Sequence, residues 1–312
     1  MNVMLGLPPG GLHLPAPVVT IGSFDGIHRG HQELIARVIG IARERSGTPV
    51  LVTFEPHPQQ VIAPGTAPSL LSGREEKLSL LEKAGIEVAV ILNFNRELSE
   101  LEAEDFVRRI LIDGLGTDFL VLGHDHAFGR GRRGREPLLR QLAPELGFEL
   151  EVVGAVMDGD EAITSTVIRR LLAGGDVRRA ADMLGRLYSL KGLVVRGEGR
   201  GRELGYPTAN LAPVVNRKCV PGDGIYAVGV RVRGKSWTGA CSIGRRPTFG
   251  SGDRTIEVHL IDFEDDIYGD SVEVTFCERV RDELAFDTPQ ELVEQMARDI
   301  EDVQRIIQQE EH

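Results

Sequence analysis

A chain of 312 residues in which 41% are hydrophobic is long for one domain and suits two domains of ordinary size with full cores. Its formal net charge of −11 argues against a general binder of nucleic acid or anionic membrane, because that binding rests on a basic surface. The cysteines Cys219, Cys241 and Cys277 are far apart and form no C-x-x-C, so neither a zinc site nor a disulfide framework is suggested and a reducing compartment is expected. No basic-then-apolar leader opens the chain, and no apolar run approaches the roughly 20 residues of a membrane span. These features point to a cytoplasmic protein with neither membrane nor nucleic-acid partners; they leave its oligomeric state open.

Val18, Val19 and Ile21 read as a buried strand that runs into a glycine-punctuated turn, GSFDGIHRGH, from Gly22 to His31. Gly22 and Gly26 let the backbone turn tightly, and Leu34, Ile35, Val38 and Ile39 predict a helix beginning near Gly30. Further strands are predicted at Val50 to Phe54, Val88 to Leu92, Phe119 to Leu122 and Leu150 to Val153, with helices between them. Two of those helices carry capping-box patterns, Ser72 with Glu75 and Ser99 with Glu102, and the first should stop at Gly85. Such alternation predicts a doubly wound parallel α/β sheet with ligand beyond the carboxyl ends of its strands.

After about Leu184 the texture changes to strand-like runs between glycine-rich turns: Leu190 to Arg196, Ile225 to Val232, Trp237 to Ile243, Thr255 to Leu260 and Ser271 to Phe276. That pattern predicts an antiparallel barrel or sandwich. A closing helix is expected with Thr288 as N-cap, Pro289 at its first position, Glu291 completing the cap, and Leu292, Met296, Ile300, Val303 and Ile307 on one face. The domain boundary is placed near 184–187, which gives domains 1–185 and 186–312.

The chemistry is concentrated in a few motifs. A strand-turn-helix junction aims free backbone N–H groups and the positive end of a helix dipole at a ligand, so Gly22 to His31 suits a polyphosphate, with His28 and His31 adding imidazole donors. Asp25 is either a magnesium-side carboxylate or a structural turn residue. Ser165 and Thr166 either cap the helix that follows or bind phosphate at its N-terminus, with Arg169 adding a charge. His57 stands between two prolines. Arg130, Arg132, Arg133 and Arg135 form either a solvated loop or a mobile flap that approaches phosphates. In the second half, Thr208 and Asn210 lie two residues apart and offer a hydroxyl and a carbonyl oxygen acceptable to magnesium. Gly197, Gly199, Gly201 and Gly205 precede them. The period of two puts Ile256, Val258 and Leu260 on one face of a strand and Glu257 and His259 on the other.

These motifs, in this order, resemble those of the bifunctional bacterial riboflavin kinase/FAD synthetases over nearly the whole chain. The matching segments are GSFDGIHRGH, TFEPHP at Thr53 to Pro58, ITSTVIR at Ile163 to Arg169, RGRELGYPTANL at Arg200 to Leu211, PGDGIYAV at Pro221 to Val228, SIGRRPTFG at Ser242 to Gly250, IEVHLIDFEDDIYG at Ile256 to Gly269 and RDELAFDTPQEL at Arg281 to Leu292. The resemblance implies a Rossmann-like nucleotidyltransferase domain followed by a riboflavin kinase-like barrel with a C-terminal helix. It implies that riboflavin and ATP give FMN and ADP in the barrel, and that FMN and ATP then give FAD and pyrophosphate in the first domain, with Mg2+ accompanying ATP.

By this resemblance, Gly22, Phe24, Asp25, Gly30, Ser165, Thr166, Gly199, Gly201, Gly205 and Pro207 bind ATP, and His28, His31 and Arg169 meet the charge of adenylyl transfer. Phe54, His57, Asp125, Phe128, Arg281 and Glu283 contact flavin, Thr208 and Asn210 hold the metal, and Glu257 is the general base of the kinase. Gly123 to Gly134 departs from the family's G-x-D/N-F-x-F-G, because His126 stands where the first phenylalanine is usual. An imidazole there can stack on a flavin ring or line an apolar wall, but it brings a polar atom that needs a partner. A kinase with an impaired adenylyltransferase domain, or a flavin-binding regulator that kept the fold, are the competing readings.

Overall fold

The computed structural model describes residues 1–197, 201, 204–245 and 254–310, with backbone alone at Arg245 and Glu310. Contacts divide the chain into two compact units, Met1–Ser165 and Thr166–His312.

In chain order the first unit contains β1 (Asn2–Leu5), β2 (Val18–Ile21), α1 (Arg29–Glu44), β3 (Pro49–Glu55), α2 (Pro58–Ile62), α3 (Arg74–Ala84) and β4 (Val88–Asn93). Then come α4 (Arg96–Glu100), α5 (Ala103–Phe106) with a wider π turn over Val107–Ile112, β5 (Phe119–Gly123), α6 (Glu136–Leu146), β6 (Glu149–Val153) and a small hairpin of β7 (Met157–Asp158) and β8 (Glu161–Ala162). The six longer strands form one parallel sheet in the order β1-β4-β3-β2-β5-β6. Its central strands read as continuous apolar runs because both faces are covered, and all four residues of β2 are buried. From β2 the chain steps to β3 and β4 on one side, then returns to β5 on the other. The order therefore reverses beside β2, and the turn after β2 opens at that switch point.

Edge strand β1 is not among the expected strands: its apolar run, Val3 to Leu5, is only three residues long, and in the fold it is largely exposed, Leu5 at 71%. Gly85 ends α3 in the left-handed conformation, as the sequence predicts. Neither capping box near it forms. Gly73 precedes α3 without a side-chain cap, because the Ser72 hydroxyl is drawn into the core to accept from Gly26 N–H at 2.9 Å and to donate to Asp25. Asn95 caps α4 by accepting from Leu98 N–H at 2.8 Å, whereas Ser99 lies inside that helix and donates to the Arg96 carbonyl.

The second unit continues with α7 (Ser165–Ala173), which begins at the division, α8 (Val177–Leu184), β9 (Tyr188–Val195), β10 (Ala209–Pro213), β11 (Gly224–Val232), β12 (Lys235–Arg245), β13 (Arg254–Leu260), β14 (Ser271–Arg281) and α9 (Pro289–Glu310). Its strands close into an antiparallel barrel in the order β10-β13-β12-β11-β14-β9. The sequence places the division near 184–187, where strand-like texture begins, while the compact units part after Ser165. The physical reason is that α8 buries Val177, Ala180, Met183 and Leu184 and packs on β9 and β14, and Gly222 N–H donates to the α7 carbonyl of Leu172 at 2.7 Å.

Helix α9 packs on the outside of β11, β12 and β14. Thr288 accepts from Glu291 N–H at 3.3 Å, and the Glu291 carboxylate returns to Asp287 N–H at 3.1 Å, one residue before the cap. Val303, fully buried, packs with Ala227 and Ile261, and Ile300, Ile306 and Ile307 flank them. Among the described residues no helix is long and apolar enough to cross a membrane.

Candidate active sites

The turn after β2 is built around two residues forced into left-handed backbone, Phe24 at φ 47° and Ile27 at φ 41°, both with side chains buried in the core. That conformation disfavours bulky residues, so something must hold it. Asp25 does much of this: its buried carboxylate accepts from Leu71 N–H at 3.0 Å, Ser72 N–H at 2.9 Å and the Ser72 hydroxyl at 3.3 Å. Of the two readings of Asp25 from sequence, this commitment favours the structural one. Phe24 likewise sends its ring into the core, 5.0 Å from the His31 ring.

His28 is the N-cap of α1, its Nδ1 accepting from His31 N–H at 3.3 Å, and the two imidazoles stack with centroids 3.7 Å apart. A Cβ on Gly30 would come within 3.2 Å of the His28 ring and 3.4 Å of the Ile163 carbonyl, so glycine there permits this packing. His31 Nδ1 is buried without a hydrogen-bond partner. Burial, then the fields of His28, Lys77 and His126, push its pKa well below the usual imidazole value, so it works as a neutral ring. The Ser165 hydroxyl donates to the Asp25 carbonyl at 2.8 Å from the first position of α7, and so pins the turn. Thr166, exposed, and Arg169, half-buried, follow on α7 within the second compact unit.

Lys77 is a member of this site that the motif reading missed. Its ammonium donates to the Ser23 carbonyl at 2.6 Å and to Thr53 Oγ1 at 3.3 Å, and Thr53 itself donates to Ser23 O at 3.1 Å. Burial lowers its pKa, opposed by Asp25 and Glu55. Its signal in the sequence is a lysine four residues before the fully buried Leu81, on the apolar side of a helix.

Of the residues expected to contact flavin, Phe54 is 8% exposed near the end of β3 and meets Phe94 edge to face at 5.5 Å. His57 caps α2 by accepting from Gln59 N–H at 3.2 Å. Phe128 packs 5.0 Å from Phe106 and pairs with Gly134, where a Cβ would strike its ring; Asp125 is exposed. In the arginine loop, Arg130 and Arg133 both pair with Glu102 at the surface, which favours the solvated-loop reading.

The second unit places its chemistry by strand register. Asn210 lies opposite Glu257, Glu257 opposite Ser242, Ser242 opposite Ile225, and Ile225 opposite Arg281. Ile256, Val258 and Leu260 are buried within the barrel, so this row faces outward, as alternation predicts. The Thr208 hydroxyl donates to Glu257 Oε2 at 3.1 Å. Gly197 and Gly201 make room here: a Cβ on the first would overlap the Asn210 amide, and one on the second the Tyr206 carbonyl. Gly205 turns with φ 86°, and His259 Nδ1–H donates to the Pro207 carbonyl at 2.8 Å, holding the P-T-A-N segment. Gly199 and residues 246–250 of the S-I-G-R-R-P-T-F-G segment lie outside the described residues.

Thr208 lies between two cavities. One, of about 390 Å³, has Glu257, Ser242, Arg281 and Glu283 among its polar lining and Leu284, Phe286, Leu292 and Met296 as its apolar wall. The other, of about 370 Å³, is lined by Pro207, Leu260, Phe263, Ile267 and Tyr268 with the acids Glu264 to Asp266. Arg281 lines the first cavity, but its guanidinium is held in a fork by Asp299 of α9, at 2.7 and 2.6 Å, with Gln295 on the same carboxylate. It anchors the helix that walls the cavity. Asp299, 4% exposed, escaped notice in the sequence although it stands on the apolar stripe between Met296 and Val303. Glu283 rests against Gly244, and burial together with Asp223 raises its pKa.

Two family models match the chain, FAD synthetase over residues 13–167 and riboflavin kinase over residues 184–307. A bifunctional riboflavin kinase/FMN adenylyltransferase of Haemophilus influenzae is 34% identical over 302 residues, covering 96% of this chain and 97% of that protein. One from Pseudomonas fluorescens is 39% identical over 282 residues, 88% of this chain and 90% of that protein. A crystal structure described as a macrolide-efflux protein from Streptococcus pneumoniae matches with a TM-score of 0.87 at 31% identity, covering 97% of this chain and 99% of that one.

Proposed function

The chain belongs to the bifunctional riboflavin kinase/FMN adenylyltransferase family, and from that premise we propose which of its residues carry each reaction. It converts riboflavin to FMN and FMN to FAD. The modules for the two steps are taken as 186–312 for the kinase and 1–185 for the adenylyltransferase, with ATP as the donor in both.

The observation that carries the kinase assignment is the convergence of Thr208 and Asn210 on Glu257 at the wall of the larger cavity. The apolar side of that cavity suits the isoalloxazine ring, and its polar end suits the ribityl chain. Glu257 accepts the proton of the terminal ribityl hydroxyl as that oxygen attacks the γ-phosphate of ATP, a role worth roughly a hundred- to ten-thousand-fold. The neighbouring cavity, with Pro207 and an apolar wall, suits the adenine base, which brings the phosphates to Thr208 between the two. The donor set fits magnesium: a hydroxyl, an amide carbonyl and a carboxylate are hard oxygens, and among the described residues no group of three acidic, histidine or cysteine side chains forms a separate metal site. Thr208 and Asn210 would hold the ion beside ATP, where it neutralises phosphate charge. Glu283 and the Arg281 anchor shape the flavin end.

In the first unit the N-terminus of α1, at Arg29 and Gly30, offers backbone N–H groups to the phosphates of ATP. His28 and His31 donate to the phosphorus-bound oxygens as the FMN phosphate attacks the α-phosphorus and pyrophosphate leaves. Ser165, whose hydroxyl donates to the Asp25 carbonyl, belongs with them; Thr166 and Arg169 are assigned to the same step by the family resemblance alone. Phe54, His57, Asp125 and Phe128 belong to the flavin side. We also take the enzyme to be cytoplasmic and to act on small molecules, supported by its acidic charge and by three buried free cysteines that need no oxidising compartment.

The test is reciprocal. Purified protein with riboflavin, ATP and magnesium should yield both FMN and FAD on chromatographic separation. Glu257→Gln should lower FMN formation by at least a hundredfold while FAD synthesis from supplied FMN persists, and His31→Ala should do the reverse. Loss of both activities from either change would refute separate sites.

A further inference from the structure

His126 lies in the loop after β5, and β5 pairs with β2 in parallel, so its loop opens beside the turn that carries His28 and His31. Its ring packs 5.8 Å from Phe128, which packs on Phe106. Its Nε2 is buried with no hydrogen-bond partner, as is His31 Nδ1, and the field of His126 reaches His31. Two orphaned imidazole nitrogens, on loops that follow the paired strands β2 and β5 and close enough for one ring's field to reach the other, mark a place where a ligand's polar group belongs. Burial lowers the His126 pKa to about 4, with Asp125 opposing and Arg132 reinforcing, so the ring is neutral and presents one N–H and one lone pair.

The occupant follows from the neighbours. His31 stands at the N-terminus of α1, where the phosphates of ATP are drawn, and Phe128 with Phe106 forms an aromatic wall suited to the flavin ring. The reacting phosphate of FMN is the group that must reach from one to the other. We propose that His126 contacts substrate in the adenylyltransferase site, Nε2–H donating to a phosphate oxygen of FMN beside His31. The chain thus places a hydrogen-bond donor where the family pattern keeps a phenylalanine. The proposal rests on the assignment of FAD synthesis to the His28–His31 site.

Steady-state FAD synthesis with FMN and ATP varied separately tests it on wild-type protein, His126→Phe and His126→Gln. His126→Phe should raise KM for FMN about tenfold, the size of one hydrogen bond to a charged group, and leave KM for ATP within about twofold. His126→Gln, whose amide N–H reaches the position of Nε2, should stay within about threefold of wild type. An unchanged or lower KM for FMN in His126→Phe overturns the proposal while the site assignment stands, and so does an equal rise for ATP and FMN. If His31→Ala leaves FAD synthesis intact, the site assignment fails and takes the proposal with it.

Discussion

The two catalytic regions are held in place by different means. The residues proposed for the kinase sit on neighbouring strands of a closed barrel, where register alone sets Asn210, Glu257 and Ser242 side by side. The residues proposed for adenylyl transfer sit on a loop in sparsely populated backbone conformations, pinned by Asp25 within the loop and by Ser72, Lys77 and Ser165 from outside it. A site made by register is as rigid as its sheet. A site made by a loop is only as rigid as the buried polar contacts beneath it, so single changes outside the reacting residues should damage the first unit more than the second.

The strongest test of this contrast is Asp25→Ala. It strips the buried N–H groups of Leu71 and Ser72 of their acceptor, which should cost about 3 kcal/mol, abolish FAD synthesis and leave FMN formation near wild type. Chemical denaturation and the two product assays check it, and an unperturbed adenylyltransferase would show that the turn holds itself. Arg281→Lys, the counterpart in the second unit, loses the fork to Asp299 and should cost about 2 kcal/mol and raise KM for riboflavin while kcat falls less.

A smaller effect sharpens the electrostatic side. His126 has a folded pKa near 4 against an unfolded value near 6.5, so the unfolded chain binds the extra proton. Its contribution to stability is complete above about pH 6.5 and is lost as pH falls through that window toward 4. Urea midpoints for wild type and His126→Phe at pH 7 and pH 5 should therefore differ in slope, the wild type losing more on acidification. Smallest of all, the double change Arg130→Gln and Arg133→Gln removes exposed pairs with Glu102 and should shift stability by under about 1 kcal/mol. Both KM values should stay within twofold; a large rise for either substrate would restore the phosphate-flap reading.

Much of both sites was legible because their residues are contiguous. The turn at Gly22 to His31 and the G-Y-P-T-A-N segment each carry their own glycines, and period-two alternation put Glu257 on the outward face of its strand. The roles of Lys77, Ser72 and Asp299 are not legible in the sequence because each acts on a partner far away in it: Lys77 on Ser23, Ser72 on Gly26, Asp299 on Arg281. Ser72 also shows how a correct local pattern fails. Its spacing to Glu75 suits a capping box, but a buried N–H at Gly26 needed an acceptor more than the solvated helix end did.

By itself the amino-acid order determined the alternation of strands and helices, the change to barrel-like texture and the reach of α9. These are consequences of propensity and periodicity, which act over a few residues. Tertiary structure alone decided that Asp25 serves the loop beneath it, that Arg281 anchors a helix, that α7 and α8 pack with the barrel, and that His126 leaves a buried nitrogen beside the stacked histidines. Those outcomes depend on which buried polar groups meet, and that choice is made by segments that touch only once the chain has folded.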